Sequence, residues 1–211
     1  MIYYIADCHF FHSALNEKMD KRGFLSCEEM NEYMLKKWND KVTNADTVVI
    51  LGDLSFGKIE ETNELVHKLK GKLCLITGNH DKYVKSANFD KDRFEWIDNY
   101  RVITDSQKKV VCCHYPIPFY DGQYRLKHSG EPKTYMLYGH VHNTRDEVLM
   151  KKIIEMIGST PYVPIAAEHE RTIPCNMINC FCMRSDYEPL TLSEWIKLSN
   201  PLFAQDVKRK M

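Results

Sequence analysis

Residue types that hold divalent cations recur in this chain as five short clusters. In order they are Asp7-Cys8-His9, Gly52-Asp53, Gly78-Asn79-His80-Asp81, a lone His114, and Gly139-His140-Val141-His142. Carboxylate, amide oxygen and imidazole together suit manganese, iron, zinc, cobalt or nickel without choosing among them. Taken alone each cluster is weak, because Asp-x-His also describes an ordinary polar loop after a strand. Gly-His-x-His is stronger: two imidazoles two residues apart can approach one small volume, one for each of two metals. Gly-Asn-His-Asp is the sharpest, expected by chance in roughly one sequence in a thousand of this composition.

Each cluster follows a short apolar run. Residues 2–6, 47–51, 73–77, 110–113 and 135–138 are rich in β-branched or aromatic types and end at Gly or a polar group, which predicts strands. Helical spacing lies between several of them. Ser26 and Glu29 form a capping-box signature ahead of Met30, Tyr33, Met34 and Trp38. Ile59, Leu65, Val66 and Leu69 make a second stripe stopped by Gly71 at a C-cap, residues 148–157 a third ending at Gly158, and a last helix starts near Thr191. The alternation predicts an α/β fold with substantial parallel pairing. Ligands in such sheets bind beyond the carboxyl ends of the strands, where all five clusters fall. Residues 173–183 read as a further, antiparallel strand of a second sheet.

Five blocks in this order resemble the calcineurin-like metallophosphoesterase superfamily, from residue 7 to residue 142. Asp7-Cys8-His9-Phe10-Phe11-His12, Gly52-Asp53-Leu54-Ser55-Phe56-Gly57 and the ending Pro189-Leu190-Thr191-Leu192-Ser193-Glu194 are most similar to its small bacterial and phage-type members. The resemblance implies a two-sheet β sandwich flanked by helices, and length favours a single domain over residues 1–211. It also implies two divalent metal ions. Asp53 would bridge them, Asp7, His9 and His142 would complete one shell, and Asn79, His114 and His140 the other. His80, beside a ligand but not one itself, would be the catalytic acid.

This ligand set suits phosphoester hydrolysis. A phosphoester is anionic and repels nucleophiles, and two cations ~3.5–4 Å apart bind its oxygens and acidify a bridging water. The expected reaction is attack of a hydroxide bridging the two metals on a phosphodiester or phosphomonoester. A histidine that protonates the leaving oxygen is worth ~10²–10⁴-fold, although His80 could instead merely order its loop. Asp81 either orients His80 or caps the following segment. His12 divides evenly between a role at the site and a surface role, and Cys8 should point into the sheet, because neighbours on an extended segment face opposite ways. His67 reads as a solvated helix residue, Arg125, Lys127 and His128 as an exposed basic loop, and His169 and Arg171 fall in a segment without a clear pattern. The serine/threonine protein phosphatases carry an arginine shortly after the Gly-Asp aspartate. Leu54-Ser55-Phe56-Gly57 has none, which counts against that activity and leaves the phosphate clamp unassigned.

Composition narrows the partners. Lys+Arg and Asp+Glu are both 29, so no global field favours nucleic acid or a membrane surface. A small phosphorylated substrate is expected, and extended nucleic acid is disfavoured. No stretch approaches ~18 apolar residues, and the N-terminus lacks a signal-peptide pattern. The eight cysteines, without Cys-x-x-Cys, then read as reduced thiols in a cytoplasmic protein, with Cys180 and Cys182 on one face of a strand. Two other functions remain beside the hydrolase: a non-catalytic metal-binding interaction scaffold, and a nuclease acting on short oligonucleotides with the same centre.

Overall fold

The computed structural model describes residues 1–163, 169–172 and 174–200. Strands β1 (Ile2–Ile5), β2 (Thr47–Ile50), β3 (Lys72–Ile76) and β4 (Phe94–Asp98) run parallel to their neighbours in that order. Helix α1 (Cys27–Lys41) links the first pair and α2 (Ile59–Lys68) the second. Strands β5 (Tyr100–Asp105), β6 (Lys108–Cys113) and β7 (Thr134–Tyr138) begin a second sheet, β5 antiparallel to β6 and β6 parallel to β7. After α3 (Arg145–Ser159) come a small hairpin of β8 (Pro161–Tyr162) and β9 (Arg171–Thr172), then β10 (Met177–Asn179) beside β7. Finally β11 (Leu190–Thr191) pairs antiparallel with β1 and leads into α4 (Leu192–Ser199).

The layers follow from side-chain alternation along the strands. Tyr3 and Ile5 of β1, with Val48 and Ile50 of β2, pack under Met30, Met34, Trp38, Leu65 and Val66 of α1 and α2. Tyr4 and Ala6 face the other way, onto Val110, Cys112 and Leu137 of the second sheet. Beyond that sheet, Val111, Met136 and Tyr138 meet Met150 of α3. The result is two mixed sheets face to face with helices outside, as the resemblance implied. Trp195 of α4 closes one end between the sheets, and its Nε1–H donates to the Tyr4 carbonyl at 2.9 Å.

Several local expectations change. Ser26 caps α1, accepting from the Glu29 N–H at 3.1 Å, but the Glu29 carboxylate turns to the Leu25 N–H. Gly71 lies beyond the end of α2, at φ +95° in the turn into β3. Helix α3 starts at its Thr144 cap and runs through Gly158 to Ser159. Of the strand expected over 173–183, Ile173 lies outside the described residues, and β10 pairs parallel, not antiparallel. A 3-10 turn at Cys182–Ser185 then turns Cys182 into the helix-side core while Cys180 stays between the sheets, so the two thiols do not share a face. Strands β4 and β5 carry no clear sequence signal, because mixed charged and apolar residues and edge positions blur their pattern. No helix among the described residues is long and apolar enough to cross a membrane.

Candidate metal centre

Strands β1, β2, β3, β6 and β7 all deliver their following residues to one edge of the sandwich. Backbone bonds lock those segments together: Asp7 N–H to Gly52 O at 3.0 Å, His9 N–H to Asp53 O at 2.9 Å, and Gly139 N–H to His114 O at 2.9 Å. Asp7, His9, Asp53, His140 and His142 all adopt φ between +47° and +71°. Non-glycine residues rarely take this left-handed conformation, and clustered instances mark functional sites. The glycines supply clearance: a Cβ on Gly52 would run into the His114 ring, one on Gly78 into the Asp53 carboxylate, and one on Gly139 into the Asp7 carboxylate.

All seven expected ligands lie in one connected set of contacts. His9 Nε2 and His142 Nε2 approach to 3.2 Å, and Asp7 Oδ1 lies 3.8 Å from His142 Nε2. Asn79 Oδ1 lies 3.1 Å from His114 Nε2 and 3.0 Å from His140 Nδ1. Between the groups sits Asp53 Oδ2, 3.6 Å from His9 Nε2 and 3.5 Å from His114 Nε2. Its Oδ1 accepts from the His80 N–H at 2.8 Å. Asp7, His9, Asp53, His114 and His142 are each at most 3% exposed, whereas Asn79 and His80 are half-buried and His140 is open to solvent.

The donor chemistry fits cations. The His142 Nδ1–H donates to Asp20 Oδ1 at 2.8 Å and the His114 Nδ1–H to the Leu51 carbonyl at 2.8 Å. Each ring therefore turns its Nε2 inward, and around His114 Nε2 stand two further acceptors, Asn79 Oδ1 and Asp53 Oδ2. Only a proton or a metal ion can reconcile so many lone pairs. Burial would depress the His114 pKa, but its hydrogen bond to the Asp53 carboxylate and the charges of Asp7 and Asp53 raise it to about 9. The same contacts, against the opposing effect of burial, hold Asp53 near 2. Burial pushes Asp7 up to about 6 and His9 down to about 2, so His9 stays neutral and able to ligate. The donor atoms of Asp7, His9 and His142 lie within 4.8 Å of one another, as do those of Asp7, Asp53 and His114.

Two residues at this site gave no signal in the sequence. Asp20 orients His142 and is itself held by Arg22 through Nε at 3.1 Å and Nη2 at 2.9 Å. Arg22 also donates to the carbonyls of Cys8 at 2.6 Å and Asp7 at 3.1 Å, stitching the first ligand loop in place. A carboxylate behind a ligating histidine is a general expectation. Nothing in Asp20-Lys21-Arg22 marks it as that carboxylate.

The remaining candidates separate cleanly. The Asp81 carboxylate accepts from the N–H groups of Asp53, Leu54 and Gly78 and from the Tyr83 hydroxyl, at 2.8–3.0 Å. It ties the second and third ligand loops together and does not orient the His80 ring. His80 stands with its ring 5.3 Å from His9 and 5.4 Å from Phe56, and His12 packs on Phe56 at 4.0 Å. Cys8 packs into the helix-side core. His67 is exposed on α2 and lies 2.8 Å from Asp90. Arg125 and His128 are exposed in a hairpin where Lys127 pairs with Glu131 at 3.1 Å, and His169 and Arg171 are also exposed.

Residues 1–162 match the family model of the calcineurin-like phosphoesterase superfamily domain. An uncharacterized protein of Methanocaldococcus jannaschii is 35% identical over 149 residues, 69% of this chain and 72% of that protein. The crystal structure of a protein of unknown function from Aquifex aeolicus has a similar fold, with a TM-score of 0.62 at 24% identity over 94% of this chain and 98% of that one.

Proposed function

This chain belongs to the calcineurin-like phosphoesterase superfamily, and we propose that it is a dinuclear metallophosphoesterase that hydrolyses a small phosphorylated substrate. The observation carrying this reading is the Asp53 carboxylate, one oxygen of which lies within 3.6 Å of an imidazole nitrogen from each of two ligand groups. Asp7, His9 and His142 would hold one cation, Asn79, His114 and His140 the other, and Asp53 both. Two divalent ions, drawn from manganese, iron, zinc, cobalt or nickel, supply Lewis acidity and an acidified water when bound.

The chain's own groups do the rest. Near-complete burial of five ligands removes competing water and strengthens every charge interaction at the centre. The bond from the His80 N–H to the Asp53 carboxylate and the Asp81 bonds fix the loop that carries the His80 ring, leaving that ring half-open beside Phe56. From there His80 can deliver a proton to the leaving oxygen. The eight free thiols support a reducing, cytoplasmic setting.

His80→Ala tests the assignment. The variant should bind metal like the wild type, measured by metal content after dialysis. It should lose ~10²–10⁴-fold in turnover of a phosphoester with a poor leaving group. Wild-type turnover of that ester by the variant would remove His80 from the reaction, and no metal-dependent turnover of mono- or diesters by the parent protein would remove the activity itself.

A further inference from the structure

A cleft of about 560 Å³ opens directly beside the centre. Gly78 and Asn79 form its inner wall, and Tyr115 its opposite lip, with the Tyr115 ring 4.5 Å from His140 and 5.1 Å from His114. Val84 and Ile97 add apolar lining, and Asp81, Asp98, Lys82 and Lys85 add charged groups. Its volume lies within the range of small-molecule sites. A group seated there is thus beside Asn79, one of the expected ligands.

His80 is not part of this wall. It stands on the other flank, against His9 and Phe56. The centre is therefore flanked on two sides, by the solvent-accessible His80, Phe56 and His12 on one and by the cleft on the other. A phosphomonoester has a single organic group and occupies one flank, whereas a phosphodiester has a group for each.

The charges of the cleft are also specific. Asp98 is neutralised by Arg101 at 2.6 Å, and the Asp81 carboxylate is used by four donors. Lys82 and Lys85 are exposed, and among the described residues neither forms an ion pair. Two exposed lysines without a carboxylate partner among the described residues thus line a cleft whose Tyr115 is 47% exposed.

We propose that this cleft is the subsite for the organic group retained on phosphorus, so that the substrate is a phosphodiester, and that Lys82 and Lys85 select a retained group bearing its own negative charge. The inference rests on the phosphoesterase reading. In the reaction a water oxygen bonds to phosphorus and the ester bond on the His80 flank breaks. The leaving oxygen takes a proton, and the group in the cleft departs later as a phosphomonoester.

The test compares two p-nitrophenyl diesters with the same leaving group, p-nitrophenyl phenyl phosphate and p-nitrophenyl 4-carboxyphenyl phosphate, on metal-loaded wild type and on the double variant Lys82→Ala, Lys85→Ala. Wild type should prefer the carboxylated ester in kcat/KM, chiefly through KM. Loss of two exposed charges should cut that preference by about tenfold. Circular dichroism of the variant checks that these exposed substitutions leave the fold intact. A wild-type preference of one or less, or a preference that the variant retains, overturns the subsite while leaving the hydrolase standing. No turnover of either ester, or of p-nitrophenyl phosphate, by wild type overturns both. Turnover of the monoester alone overturns the diester assignment.

Discussion

Asp20→Asn removes one charge and almost no volume, and the geometry fixes its consequences. The Asp20 carboxylate accepts three hydrogen bonds, from His142 Nδ1 at 2.8 Å and from Arg22 Nε and Nη2 at 3.1 and 2.9 Å. Both the Asp20 and Arg22 side chains are 0% exposed. An asparagine has one acceptor oxygen and one donor NH₂. With the oxygen toward His142, the NH₂ faces two guanidinium donors and a buried cation loses its counter-charge. Breaking such a pair costs ~3–5 kcal/mol, and the surviving bonds from Arg22 to Cys8 and Asp7 place the loss near the lower figure. With the NH₂ toward His142, the imidazole must move its proton to Nε2, the atom turned toward Asp7 and His9, and that nitrogen can no longer bind a cation. Either way metal affinity should fall about 10–100-fold, roughly 1.4–2.7 kcal/mol. Calorimetric titration with manganese reads the affinity. Thermal unfolding of the metal-free protein reads the other branch, where ~3 kcal/mol corresponds to a Tm drop of about 6–12 °C at this chain length. Asp40→Asn, at an exposed ion pair with Lys36, is the neutral control. Wild-type affinity and wild-type Tm together in Asp20→Asn would refute the argument.

Two further outcomes are expected. Gly52→Ala forces a side chain into φ +93° and against the His114 ring, so stability should fall by about 2–3 kcal/mol and metal binding with it, and an unchanged denaturant midpoint would contradict this. Cation uptake should strengthen with pH: His114 holds its proton up to about 9 and Asp7 up to about 6 in the metal-free protein, so an incoming cation must displace protons that are bound below those values and absent above them. Affinity of the site that holds His114 should therefore rise by nearly tenfold per unit between about pH 6 and 9, with close to one proton released there in calorimetry across buffers of different ionisation enthalpy. Flat affinity and no proton release would show that His114 is already bare.

The strands that precede the clusters were legible because each is buried along most of its length and reads as an apolar run with a polar stop. Val110, Val111 and Cys112 are each 0% exposed, as are Leu73 and Leu75, so local sequence and tertiary environment ask for the same thing. Strand β5 lacks that agreement. Its residues alternate between half-buried and exposed at a sheet edge, and Tyr100 and Val102 remain 46% and 38% exposed. The segment after Ile173 misled for a different reason: its apolar run continues past Asn179 although the chain turns, and Phe181 leaves the sheet to stack on His142 at 4.6 Å.

A motif is readable where clearance or coordination dictates residue type at a fixed offset. Gly52, Gly78 and Gly139 each precede a ligand because a Cβ there would occupy the space of a ligand from another loop, and that demand appears as Gly-Asp, Gly-Asn-His-Asp and Gly-His-x-His. Asp20 is under no such demand. It meets His142 across 122 residues, and Arg22 reaches Asp7 and Cys8 from a loop whose backbone only has to pass nearby. Any chain path that brings a carboxylate and a guanidinium to those points would serve, so their positions follow from the assembled fold and not from local spacing. The same reasoning separates Asp81 from His80: adjacent in the motif, one is 4% exposed and bonds three backbone N–H groups, while the other keeps its ring half-open at the mouth. Neighbouring letters of one motif thus do structural and chemical work that only the direction of each side chain can tell apart.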